Sequence, residues 1–134
     1  MTQMLTLPAV AQIGTSREDL IALRVTGGID AEQMHVLASF LNAVFDERDT
    51  VDLLIVFDRY IPAAPADTFD WDAIKAWFRA DDSLRRYIVV GDGAHVHELL
   101  DGLSSILPLT PEIFDEELSA WRALDAHATA PGSV

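Results

Sequence analysis

The amino-acid sequence predicts a single α/β domain with a mostly parallel sheet of four or five strands, flanked by about four helices. Three observations carry that reading. Two short runs, VDLLIVFD (51–58) and RYIVVG (86–91), are apolar at nearly every position, as strands covered on both faces are. Strand-like and helix-like segments alternate after the second strand, in the order β-β-α-β-α-β-α-β-α, which implies right-handed crossovers between parallel strands. The chain has 134 residues and is 50% hydrophobic, enough to bury a core within one domain. No repeat or dividing linker interrupts it, so residues 1–134 are read as one domain whose tail, TAPGSV, frays from about residue 128.

Each element has its own signal. Residues 4–13 place Met4, Leu5, Leu7, Val10 and Ile13 in a weak strand pattern, and Pro8 marks it as an edge strand because proline cannot donate to a ladder. DLIALRVTGG sets Ile21, Leu23 and Val25 on one face against Ala22, Arg24 and Thr26 on the other, a half-buried strand ending in a Gly-Gly turn. Asp30 is a good N-cap with Gln33 three residues on, as in a capping box. Behind it, Met34, Leu37, Ala38, Leu41, Val44 and Phe45 form one helical stripe. VDLLIVFD follows as a buried strand, then the Pro/Ala loop RYIPAAPAD, then a short aromatic helix, FDWDAIKAWFRADD, capped by Thr68 or Asp70. RYIVVG is the next buried strand. The following helix has Val96, Leu99, Leu100, Leu103, Ile106 and Leu107 on one face and is stopped by Pro108. TPEIFD is a short last strand. The final helix is capped by Asp115, with Glu116 and Glu117 at its positive end and Leu118, Trp121 and Leu124 facing inward.

Charge and composition exclude several functions. There are 22 acidic residues against 9 basic ones, for a formal charge of −13, and Lys75 is the only lysine. A nucleic-acid binder presents a basic face, and an anionic bilayer attracts basic segments, so neither partner is expected from charge. The chain has no cysteine, which removes disulfides, thiol catalysis and thiolate zinc sites. The start, MTQMLTLPAVAQIG, lacks a basic leader region, and no apolar run reaches the ~20 residues that span a membrane. A cytoplasmic location is the expectation.

Three chemical readings of RRYIVVGDGAHVHELL (85–100) are weighed in turn. Strand, Gly91-Asp92-Gly93 and helix start form a place where anions bind. A dinucleotide fingerprint needs a third glycine, however, and Asp92 stands where the anion would sit, so a tight turn capped by Asp92 or Gly93 is the simpler reading. His95 and His97 are two apart and project some 200° from each other on a helix, too divergent to share an ion; no metal is expected. Ser104-Ser105 has no base at fixed spacing, and Asp81-Asp82 are loop charges, so no catalytic set assembles and no cofactor is expected. Lys75, Arg79, Arg85 and Arg86 are balanced by Asp70, Asp72, Asp81 and Asp82 and read as a solvated, salt-bridged edge.

The run DDSLRRYIVVGDGAHVHELLDGLSSILPLTPEIFDEELSAWRALD resembles the C-terminal half of the SpoIIAA-like proteins, small STAS/SEC14-domain proteins. The earlier IALRVTGGIDAEQ and VDLLIVFD also sit where that family has strand, turn, helix and second strand, and the similarity covers roughly residues 20 to 127. The resemblance implies a βα superhelix shared by anti-sigma-factor antagonists and Sec14-type lipid carriers. The antagonists carry a phosphorylatable serine after the central strand; here FDRYIPAAPADTFDWDAIKAW has none. The lipid-carrier side implies an apolar pocket.

The aromatic helix fits that implication. Phe69, Trp71, Ile74, Trp77 and Phe78 fall within ten residues. They form either a lid over an apolar pocket, a surface that meets a membrane or partner, or a stripe packed on the sheet. The leading expectation is a non-enzymatic domain that binds an apolar small molecule or lipid. Phe57, Trp71, Ile74 and Phe78 would form its wall, Leu41 and Phe45 its floor, with Phe69 just before the helix as a further ligand-binding residue, and opening of the helix would allow reversible association with a membrane surface. The alternative is a STAS-type module that docks a protein partner through the same helix. Apolar helix faces and the weak first strand lead to the expectation of a homodimer.

Overall fold

The computed structural model describes residues 5–28, 30–58, 84–91, 96–97, 100–101 and 111–129. Strands β1 (Val10–Ile13), β2 (Leu20–Val25), β3 (Val51–Phe57), β4 (Leu84–Val90) and β5 (Glu112–Phe114) form one sheet in the order β1-β2-β3-β4-β5. β1 pairs antiparallel with β2; every other pair is parallel. The predicted α/β class and mostly parallel sheet are therefore present. Two helices are described, α1 (Ala31–Glu47) and α2 (Glu117–Ala123), together with helical positions at 96–97 and 100–101. About four helices are not shown; the aromatic helix expected near 69–79 lies outside the described residues.

β3 is central, and all seven of its residues are buried. Its alternate side chains supply two separate apolar layers, as the two-residue period of a strand requires. Leu53, Ile55 and Phe57 join Ile21, Leu23, Val25, Tyr87 and Val89 under α1, with Val96 and Leu100 in the same layer. Leu54 and Val56 join Leu20, Ala22, Ile88 and Val90 under Trp121 and Leu124 of the α2 region. β2 is thus buried on both faces, not half-buried as its alternation implied. The second face is covered because α2 returns across it, and Arg24 stays there by pairing with Glu117.

α1 forms as its sequence predicts. The Asp30 carboxylate accepts from the Gln33 backbone N–H at 2.8 Å. The Gln33 amide does not return to Asp30. It accepts from the Ala9 backbone N–H at 2.9 Å and donates to the Gly28 carbonyl at 3.3 Å, tying the helix start to the chain before β1. Pro8 lies in the turn that folds residues 5–7 back on β1, with Leu7 N–H donating to the Val10 carbonyl and Gln12 N–H to the Leu5 carbonyl. The outer side of β1 is consequently covered by its own preceding residues.

α2 departs from expectation in two details. Its N-cap is Glu116, with no side-chain cap bond, in place of Asp115. Leu118 is 59% exposed and does not face inward, although Trp121 and Leu124 do. The helix has only seven residues, and its buried stripe is filled by Ala120 and Trp121.

The chain stays tied to residue 129, past the start of the expected fraying. Ser16 N–H donates to the His127 carbonyl and Thr129 N–H to the Gly14 carbonyl, at 3.0 and 2.7 Å. A Cβ on Gly14 would lie 2.4 Å from the Thr129 carbonyl oxygen, so only glycine permits this approach. Gly91, where β4 ends, has φ +143, and a Cβ there would meet Phe57 Cβ at 3.1 Å. Gly91→Ala combines a disfavoured φ with that contact and is expected to destabilise by more than ~1 kcal/mol, read from the urea midpoint.

Candidate functional site

The N-terminal rim of the parallel strands holds a dense set of charges. Asp52, the second residue of β3, is 1% exposed and is the one buried charged side chain among the described residues. Arg17 Nη2 donates to Asp52 Oδ2 at 3.0 Å and to Asp19 Oδ2 at 2.8 Å, while its Nε reaches Asp19 Oδ1 at 2.9 Å. Arg85 donates from Nε and Nη2 to the two Asp52 oxygens, both at 3.0 Å, and from Nη2 to Asp19 at 3.2 Å. The β3–β4 register explains how Arg85 arrives. Val51 matches Leu84 and Asp52 matches Arg86, so Arg85 is an extra residue in an irregularity that re-aims its side chain.

Two guanidiniums and two carboxylates thus satisfy one another. The Arg17 hydrogen bond holds the Asp19 carboxyl below its ordinary value, against the opposing effect of burial. The same pairing raises Arg17, chiefly through Asp19, and Arg85, chiefly through Asp52. Arg17 Nη1 also donates to the Leu124 carbonyl at 2.9 Å, so the cluster binds the end of α2.

Two further pairs hold α2 on the sheet. Arg24 makes a two-pronged contact with Glu117 at 3.0 Å on each oxygen, and Trp121 Nε1 donates to the same carboxylate at 3.0 Å. Burial would raise Glu117, but these donors outweigh it and leave the carboxyl below its ordinary value. Arg86 pairs with Glu112 at 3.1 Å and donates to the Ala123 carbonyl at 2.9 Å. The expectation of a salt-bridged edge at Arg85 and Arg86 is met with partners the sequence reading did not choose; the four acids it chose lie outside the described residues.

A cleft of about 310 Å³ opens beside Arg17, between the β1–β2 turn, the C-terminal half of α1 and Thr129. Ile13, Ile21, Phe40 and Val44 contribute apolar walls, while Glu18, Glu47, Arg17 and Arg48 set both charge signs at its rim. That mixture selects no single ionic ligand.

Of the expected ligand-binding residues, Leu41, Phe45 and Phe57 are described, and all three are buried in the α1-side layer. Phe69, Trp71, Ile74 and Phe78 lie outside the described residues, as do Asp92, Gly93, His95, Ser104 and Ser105. His97 is exposed beside buried Val96. Among the described residues no group of three His, Cys, Asp or Glu side chains could hold a metal ion. The sequence reading missed Tyr87. It is 1% exposed in the same layer, its hydroxyl has no hydrogen-bond partner among the described residues, and burial pushes the hydroxyl's pKa well above the ordinary tyrosine value, making it a weaker acid. It also missed Asp52, whose signal was a lone acid in an apolar strand.

Two outcomes follow for stability. Replacing Arg17 and Arg85 together by alanine strands the Asp52 carboxylate and is expected to cost about 3–5 kcal/mol in urea unfolding, more than Asp52→Asn does. Asp19 and Glu117 ionise more readily in the folded chain than at their ordinary values of 3.8 and 4.5, so their stabilisation is complete above those values and is lost as pH falls through the lower folded ones. The midpoint should fall between about pH 5 and pH 2, and less steeply in Asp19→Asn/Glu117→Gln.

Among the described residues, no helix is long and apolar enough to cross a membrane. No curated protein matches the chain. The SpoIIAA-like family model matches residues 20–124, from the first residue of β2 to the C-cap of α2. Domains of this family are generally non-enzymatic regulatory modules, and STAS-type domains commonly act on protein partners. The match spans all the parallel strands and both described helices: the chain belongs to the SpoIIAA-like family.

Proposed function

We propose that this domain is a non-enzymatic regulatory module that acts by binding another protein. The family match carries the reading. The charge cluster agrees with it, because Arg17, Asp19, Asp52 and Arg85 are spent on one another and serve to join strands. Neither carboxylate in it is set apart as an acid or base poised for proton transfer. The chain's strong negative charge favours a partner with a basic face. Crosslinking of the full chain in extract of its own cells at physiological salt is expected to give one stoichiometric protein partner. Recovery of the chain alone, at every concentration, would refute the module.

A second reading is favoured by one observation. Among the described residues the Tyr87 hydroxyl is unpaired in the layer that holds Leu41, Phe45 and Phe57, and an orphaned buried hydroxyl costs about 1–3 kcal/mol. An apolar molecule with one polar end, seated against those residues and walled by Phe69, Trp71, Ile74 and Phe78, would satisfy it. Native mass spectrometry of freshly purified protein then shows an added mass of a few hundred daltons, lost on denaturation. Tyr87→Phe, Trp71→Ala and Phe78→Ala each reduce the occupied fraction. A bare chain mass in the wild type, with no change on adding decanol, would exclude this site. Reversible membrane association would belong to this reading, and a homodimer is a separate expectation of the sequence.

A further inference from the structure

The corner formed by β5 and α2 has a surface unlike the rest of the described fold. β5 is the last strand of the sheet and pairs with β4 on one side; among the described residues nothing pairs with its other side. The Phe114 carbonyl accepts from Gly91 N–H at 3.2 Å, so Phe114 turns its peptide groups toward β4. Strand alternation therefore turns those of Ile113 outward. Two of the three exposed large hydrophobic side chains among the described residues flank this edge: Ile113, 47% exposed, and Leu118, 59% exposed. Ile113 matches Val89 in register and so lies on the α1 side of the sheet, whereas Leu118 belongs to the helix on the other side.

Acid surrounds these two residues unevenly. Glu112 and Glu117 are neutralised by Arg86 and Arg24. Asp115 and Glu116, which lie between Ile113 and Leu118 in the chain, are exposed and make no ion pair among the described residues. An outward backbone, an apolar residue on each side and two unneutralised carboxylates select one kind of occupant. We propose that the β5–α2 corner docks an extended basic segment of a partner protein, whose backbone adds to β5 at Ile113. Its lysines or arginines meet Asp115 and Glu116, and its apolar residues cover Ile113 and Leu118. A second copy of this chain is the poorer occupant, because edge-to-edge pairing would bring the same carboxylates of two chains of charge −13 together. The inference rests on the protein-binding reading and gives it a surface and a partner chemistry.

The test is amide NMR of the full chain, titrated with a synthetic octapeptide of alternating lysine and valine, and with its glutamate–valine counterpart. The lysine peptide is expected to shift the amides of residues 112–118, and the glutamate peptide to leave them in place. Asp115→Asn/Glu116→Gln should weaken the lysine peptide about tenfold, as should raising the salt from 50 to 300 mM. Leu118→Ser should weaken it without altering the salt dependence. Both sites are exposed, so the variants keep the fold, and an unchanged spectrum outside 111–124 verifies it. Equal response to both peptides, shifts centred elsewhere, or no effect of the charge variant would overturn the proposal. So would concentration-dependent shifts at Ile113 without peptide, which would assign the edge to a second copy. A partner captured from extract whose crosslinks fall away from 112–118 refutes this surface and leaves the module standing. Specific peptide binding with no partner captured does the reverse.

Discussion

Asp52 is the constraint on which the sheet depends. A carboxylate at 1% exposure survives only with its charge answered, and the two arginines that answer it arrive from separate places. Arg17 comes from the turn before β2 and also holds the end of α2; Arg85 comes from an irregularity at the start of β4. Such a cluster adds little net stability, since removing charges from water offsets most of their attraction. It acts mainly on alignment. A one-residue slip of β3 would reverse every side chain, carrying Leu53, Ile55 and Phe57 away from α1 and Asp52 away from both arginines. The Asp52 N–H bond to the Asp19 carbonyl, at 2.8 Å, fixes the same alignment from the backbone.

The elements that were legible in the sequence were those with a strong period. The β3 and β4 runs, the Asp30 cap and the α1 stripe all appear where the residues place them. Legibility failed where the outcome depends on distant chain. Arg17 and Arg85 stand 35 and 33 positions from Asp52, so no local pattern links them. Leu118 shared a helical spacing with Trp121 and Leu124, but a short helix at the margin of the sheet buries a narrower stripe than its apolar residues could fill. β2 looked half-buried because Arg24 and Thr26 are polar, yet an arginine can remain on a covered face when a carboxylate is brought to it.

The candidate ligand site shows a different limit. Leu41, Phe45 and Phe57 were legible as inward-facing, and they are. Periodicity reports direction only. It does not distinguish a side chain that fills a core from one that lines a pocket, since both face inward with the same spacing. Tyr87 is the residue that separates those readings, because a hydroxyl has a demand that an aliphatic side chain lacks. Nothing in RYIVVG marks that demand as unmet; it is visible only once the neighbouring side chains are in place.

The bonded stretches near the first and last described residues meet the same short segment, β1 and the Gly14 that follows it. Leu5 lies against Gln12, and Thr129 lies against Gly14, two positions further along. Two residues of extended chain are roughly 7 Å, so residues 5 and 129 lie at neighbouring points. A domain with that geometry can be spliced into a loop of a host protein without stretching either junction. Residues 5 and 129 can equally be joined by a short linker and the chain reopened elsewhere.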